Sequence, residues 1–72
     1  MTVTQIYSDH KDKVFNHVLR VVKNHHNAEE ITNDVFVKMF RLSSAKFNEE
    51  NEASIETWLH TITNSVIFDF FL

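Results

Sequence analysis

Apolar and polar residues alternate with a helical period along three stretches of the chain. In the first, Ile6, Val14, Phe15, Val18, Leu19 and Val22 recur at spacings compatible with one helical face. Lys11, Asp12, Lys13, Asn16, His17 and Arg20 fill the other face. The pattern predicts a helix from about Val3 to about Lys23, with Arg20 and Lys23 near the carboxyl end, where cations complement the helix dipole. Asn24 is expected as the left-handed residue that closes this helix, Asn being the next choice where Gly is missing. Asn24-His25-His26-Asn27 then reads as a short turn.

A second helix is expected from Asn27, an N-cap residue type with Glu30 at the capping-box position, to about Leu42. Ala28, Ile31, Val35, Met39 and Leu42 share one side, widened by Phe36 and Phe40. Opposite them Glu30, Asn33, Asp34, Val37 and Arg41 form one continuous stripe. Residues 43–53 read as an acidic linker, with Glu49, Glu50 and Glu52 and one isolated apolar residue, Phe47. Ser54 is the expected N-cap of a third helix over 54–71, with Ile55, Trp58, Leu59, Ile62, Val66 and Phe70 facing inward. The end, from Val66 to Leu72, is apolar nearly all round, with no basic last turn. That predicts either a fragment of a longer protein or an end buried against a partner.

Composition narrows the fold. A chain of 72 residues makes one domain with a thin core, of the size that benefits from a partner. Hydrophobic residues are 43% and aromatics 12%, too apolar for a disordered tail. There is no Cys, hence no disulfide framework, no thiol chemistry and none of the usual zinc sites. The absence of Gly removes phosphate-cradling loops and the nucleophile elbow. Without Gly or Pro the chain lacks most tight-hairpin chemistry, and nothing breaks a helix from within. The predicted architecture is all-α, a compact three-helix bundle. No run approaches the ~18 apolar residues of a membrane span and no signal peptide opens the chain, so a cytoplasmic location is expected.

Candidate chemistry is sparse. Five histidines invite a metal, but none of the pairs has the helical spacing with a supporting carboxylate that such sites use. Solvated or core-edge positions explain them better. Ser8, Asp9 and His10 have the residue types of a hydrolase triad, yet adjacent helical residues point in different directions. Glu29 and Glu30 suit a helix start. No enzyme, metal or cofactor is expected. By itself the stripe of Glu30, Asn33 and Asp34 reads as a solvated face, and Trp58 as core packing.

The stretch from Asn27 to Phe40, Asn-Ala-Glu-Glu-Ile-Thr-Asn-Asp-Val-Phe-Val-Lys-Met-Phe, resembles the Asp-Ala-Glu-Asp-Leu-Thr-Gln-Glu-Val-Phe segment of region 2 in extracytoplasmic-function (ECF) sigma factors of bacterial RNA polymerase. Thr57-Trp58-Leu59, followed by Ile62, Thr63 and Asn64, is similar to that family's Thr-Trp-Leu and following Ile-Ala-Arg-Asn. The resemblance runs from about Tyr7 to the end. It implies a transcription initiation factor of the sigma-70 family. Its second helix would dock on the clamp helices of the largest polymerase subunit through Glu30, Asn33, Asp34, Val37 and Arg41. It further implies that the loop from Glu50 to Ile55 captures a base flipped from the minus-ten promoter element, extrusion being offset by a preformed pocket. Implied DNA contacts are Glu52, Ser54, Ile55, Trp58, Thr61, Asn64, Ser65 and Phe68. Implied partners are core polymerase, promoter DNA within the holoenzyme, and an anti-sigma factor.

The departures concern DNA. Asn64 stands where the family usually has Arg, Ser65 where it has Asn, Leu72 where Arg is common, and Ile55 replaces a usual Phe. The net charge of −3 is also against unaided duplex binding. Polymerase docking is thus better supported than promoter contact. The rival expectation is a sigma-like interaction domain that binds polymerase or an anti-sigma factor without opening DNA. A third is an unrelated helical bundle packed into a larger assembly.

Overall fold

The computed structural model describes the backbone of residues 3–42 and 52–72, and the side chains of 4–42 and 55–72. It contains α1 (Val3–Val22), α2 (His25–Leu42) and α3 (Glu52–Phe71), and no strand among the described residues. This is the all-α three-helix bundle that the periodicity predicts. Helix α2 packs extensively on both α1 and α3, whereas α1 and α3 touch less and leave a groove along their seam.

The core draws on all three helices: Ile6, Val14 and Val18, then Ala28, Ile31, Val35, Phe36 and Met39, then Ile55, Leu59, Ile62 and Ile67. Phe15, Leu19, Val22, Trp58 and Val66 pack around its edge. Tyr7 closes one side with its ring edge-on to Phe36, centroids 4.9 Å apart. Burying a large aliphatic side chain stabilises by about 1.5–3 kcal/mol. Most of that sum is cancelled by the entropy of ordering the chain.

The first connection is tighter than the sequence suggests. Lys23, not Asn24, takes the left-handed conformation, with φ of 58°. Its N–H still donates to Leu19 O at 2.8 Å. Asn24 belongs to the next helix as its N-cap, its Oδ1 accepting from Asn27 N–H and its carbonyl from Ala28 N–H, both at 2.9 Å. Helix α2 therefore begins at His25, and Asn27 lies inside its first turn. One left-handed residue reverses the chain, and the Asn side chain satisfies helix donors that would otherwise be orphaned.

Other boundaries and faces also differ. Helix α3 starts at Glu52, so Ser54 lies within it rather than at its cap, and most of the linker expected over 43–53 lies outside the described residues. Phe40, Leu42 and Phe70, expected inside, are exposed. Phe40 is turned about 100° from Met39 around the helix, while Leu42 and Phe70 fall in last turns that the bundle covers only in part. Ile67 is buried in Phe70's stead. Among the described residues three polar side chains are buried: His10, in line with Ile6 and Val14; Thr32; and Thr63, whose hydroxyl donates to Leu59 O at 2.7 Å.

Candidate functional site

Helix α2 presents Glu30, Asn33, Asp34, Val37 and Arg41 on its outer face, all exposed. They span twelve residues, about 16 Å along the helix. Val37 is an apolar side chain, 49% exposed, set amid this charged row. Beside the row runs a shallow groove between α2 and α3, lined by Asp34, Val37, Lys38, Arg41, Val66 and Phe70. Lys38 Nζ donates to Ser65 Oγ at 3.0 Å and ties the two helices together there.

On α3 the side chains of Thr57, Thr61, Asn64 and Phe68 share one exposed face, at spacings of four, three and four. The Thr61 hydroxyl donates to Thr57 O at 3.1 Å, which fixes its rotamer. Phe68 offers an exposed ring. The other residues implied as DNA contacts sit differently. Trp58 is half-buried at the core edge, and Ser65 is half-buried in its bond to Lys38. Ile55 is wholly buried, because it begins the inward row that continues with Leu59 and Ile62, so its side chain offers no surface. The side chains of Glu52 and Ser54, like the loop residues before them, lie outside the described residues.

A third feature, the seam between α1 and α3, was not apparent from the sequence. His10, Lys13, His17 and Arg20 on α1 face Glu56, His60 and Thr63 on α3, over a floor that includes Val14 and Leu59. The His17 and His60 rings stand 5.4 Å apart, centroid to centroid. Lys13 and Glu56 pair at 2.9 Å, and this hydrogen bond with the lysine charge holds the Glu56 carboxyl below its usual range. The pair is exposed, so it contributes little to stability. The signal existed in the spacing of His10, Lys13, His17 and Arg20 on one side of α1. It needed the packing of α1 on α3 to become a site. Among the described residues no group of three or more His, Cys, Asp or Glu could hold a metal ion. Nor is any helix among them long and apolar enough to cross a membrane.

The Sigma-70 region 2 family pattern matches residues 6–72 of the chain. The chain is 29% identical over 65 residues to the ECF RNA polymerase sigma factor SigE of Mycolicibacterium smegmatis, an alignment covering 90% of this chain and 24% of that protein. The chain thus spans about a quarter of the length of this relative. No solved structure gives a significant match. The relative is of the kind that the segment Asn27–Phe40 and the Thr57-Trp58-Leu59 motif resemble. A match over nearly the whole chain, on a three-helix fold, shows that this protein belongs to the Sigma-70 region 2 family, a sigma-factor domain of transcription initiation.

Proposed function

We propose that the domain docks through the outer face of α2 on the clamp helices of the largest subunit of core RNA polymerase. From there it holds the outer face of α3 against the minus-ten promoter element as the strands separate. The observation that carries this reading is the uninterrupted exposed row of Glu30, Asn33, Asp34, Val37 and Arg41. Acidic and amide groups there suit a basic coiled coil, and Val37 supplies an apolar centre to the contact. On α3, Thr61 and Asn64 supply hydrogen-bonding groups and Phe68 a ring on which a base can stack. Trp58 and Ser65 support that face from its edge, and Glu52, Ser54 and Ile55 belong to the segment leading into it. The domain acts in the cytoplasm with polymerase, and its α2 face is also the surface that an anti-sigma factor would cover.

A second reading, docking without DNA opening, is favoured by one observation: Ile55 is fully buried where the family usually carries Phe. The two readings share the α2 contact, so that contact is tested first. Glu30→Lys and Asp34→Lys should each weaken binding to a clamp-helix fragment by about 2–5 kcal/mol, the cost of breaking a close interfacial charge pair. The helical circular dichroism signal should stay intact. Undiminished binding by both variants would reduce the row to a solvated face.

A further inference from the structure

We propose that the groove between α1 and α3, walled by His17, Arg20 and His60, binds a backbone phosphate of a single nucleic-acid strand lying along α3. The inference deepens the DNA half of the reading above and rests on it for the identity of the ligand. The phosphate chemistry stands on the groove itself.

The chain carries a formal charge of −3 with seven Lys and Arg, yet its basic groups are unevenly spread. Lys13, Arg20 and the imidazoles of His10, His17 and His60 line this one groove, where Glu56 is the single acidic lining residue among the described residues. Glu56 is engaged by Lys13 at 2.9 Å, so the carboxylate is already matched. Arg20 lines the same groove as the imidazoles of His17 and His60. A guanidinium fork binds phosphate oxygens in bidentate fashion, and imidazole N–H groups donate to the remaining ones. The loose contact between α1 and α3 keeps the groove open to an anion.

Position favours a nucleic-acid strand over an acidic peptide. At about 100° per residue, His60 lies some 40° around α3 from Asn64 and 60° from Thr57. The basic wall is therefore continuous with the outward face that ends in the exposed ring of Phe68. A strand whose bases meet that face brings its backbone to the groove. This also addresses the charge conflict: a chain acidic overall attracts DNA locally, through about one or two phosphates, and so only weakly without the polymerase.

The test is an NMR titration of the chain at low salt, first with inorganic phosphate and then with a single-stranded oligonucleotide. Phosphate should shift the His17 and His60 ring signals saturably, and the oligonucleotide should compete for them. Arg20→Gln and His60→Gln, both at exposed positions, should keep the amide spectrum of the folded chain while weakening both ligands about tenfold, the scale of a hydrogen bond to a charged group. Absence of any phosphate shift overturns the site. Phosphate binding that the oligonucleotide does not compete for overturns the assignment to a strand, and so does competition by an acidic peptide as strong as that by the oligonucleotide. Neither variant touches the α2 row, so clamp-helix binding by Arg20→Gln should match the parent. The groove can thus fail while polymerase docking stands, and the reverse.

Discussion

Lys23 holds a left-handed backbone, φ 58°, at the join of α1 and α2, where a side chain with a Cβ is under steric strain. The next residue, Asn24, caps α2 through its Oδ1. Lys23→Gly should therefore stabilise the fold by up to about 1 kcal/mol, and Asn24→Ala should cost about 1 kcal/mol, in urea unfolding. The reverse order would mean that Asn24, not Lys23, closes α1. Glu56 gives a second residue-level expectation. Its carboxyl is held below the usual range by the hydrogen bond and charge of Lys13. A depressed folded value means that the ionised form is favoured on folding, so the contribution is present at neutral pH and lost as pH falls through the carboxylate range. Glu56→Gln should lower Tm slightly at about pH 7, and the difference should shrink as pH falls through the carboxylate range and below it. A difference that grows in acid would contradict the pairing.

At the scale of elements, legibility followed the strength of the period. Helix α2 gathers its apolar residues, Val37 apart, on one side, so both its buried row and its outer row could be read, apart from Phe40 and Leu42 near its end. The last two turns of α3 are apolar in nearly every direction, and there periodicity could not distinguish Ile67, which is buried, from Phe70, which is not. The α1–α3 groove was illegible for another reason: helical spacing reports a face, while a groove depends on how two faces meet. Phe68 and Ile67 turn this into a test. Phe68→Ala should change stability by no more than about 0.5 kcal/mol, as for a surface substitution, yet weaken promoter binding by the polymerase complex. Ile67→Ala should cost about 2–4 kcal/mol by opening a cavity. Equal losses of stability would put Phe68 in the core and remove it from the proposed DNA face.

As a whole molecule, the domain sets an outward row on α2 and an outward face on α3, with a small shared core between them. At 72 residues that core leaves little margin, and exposed Phe40, Leu42, Phe70 and Phe71 add apolar surface that a larger assembly would cover. Seven basic residues against ten acidic ones cannot supply the counterion release that drives DNA binding by an isolated protein. On the proposed reading, polymerase contributes the positive channel and holds the domain at the opened strand. The direct measurement is fluorescence anisotropy of a labelled non-template oligonucleotide carrying the minus-ten element, at physiological salt, with the chain alone and with core polymerase added. The account predicts no appreciable binding by the chain alone and sequence-dependent binding once polymerase is present, lost again with Asp34→Lys. Tight, sequence-selective binding without polymerase, or binding with polymerase that Asp34→Lys leaves untouched, would contradict it.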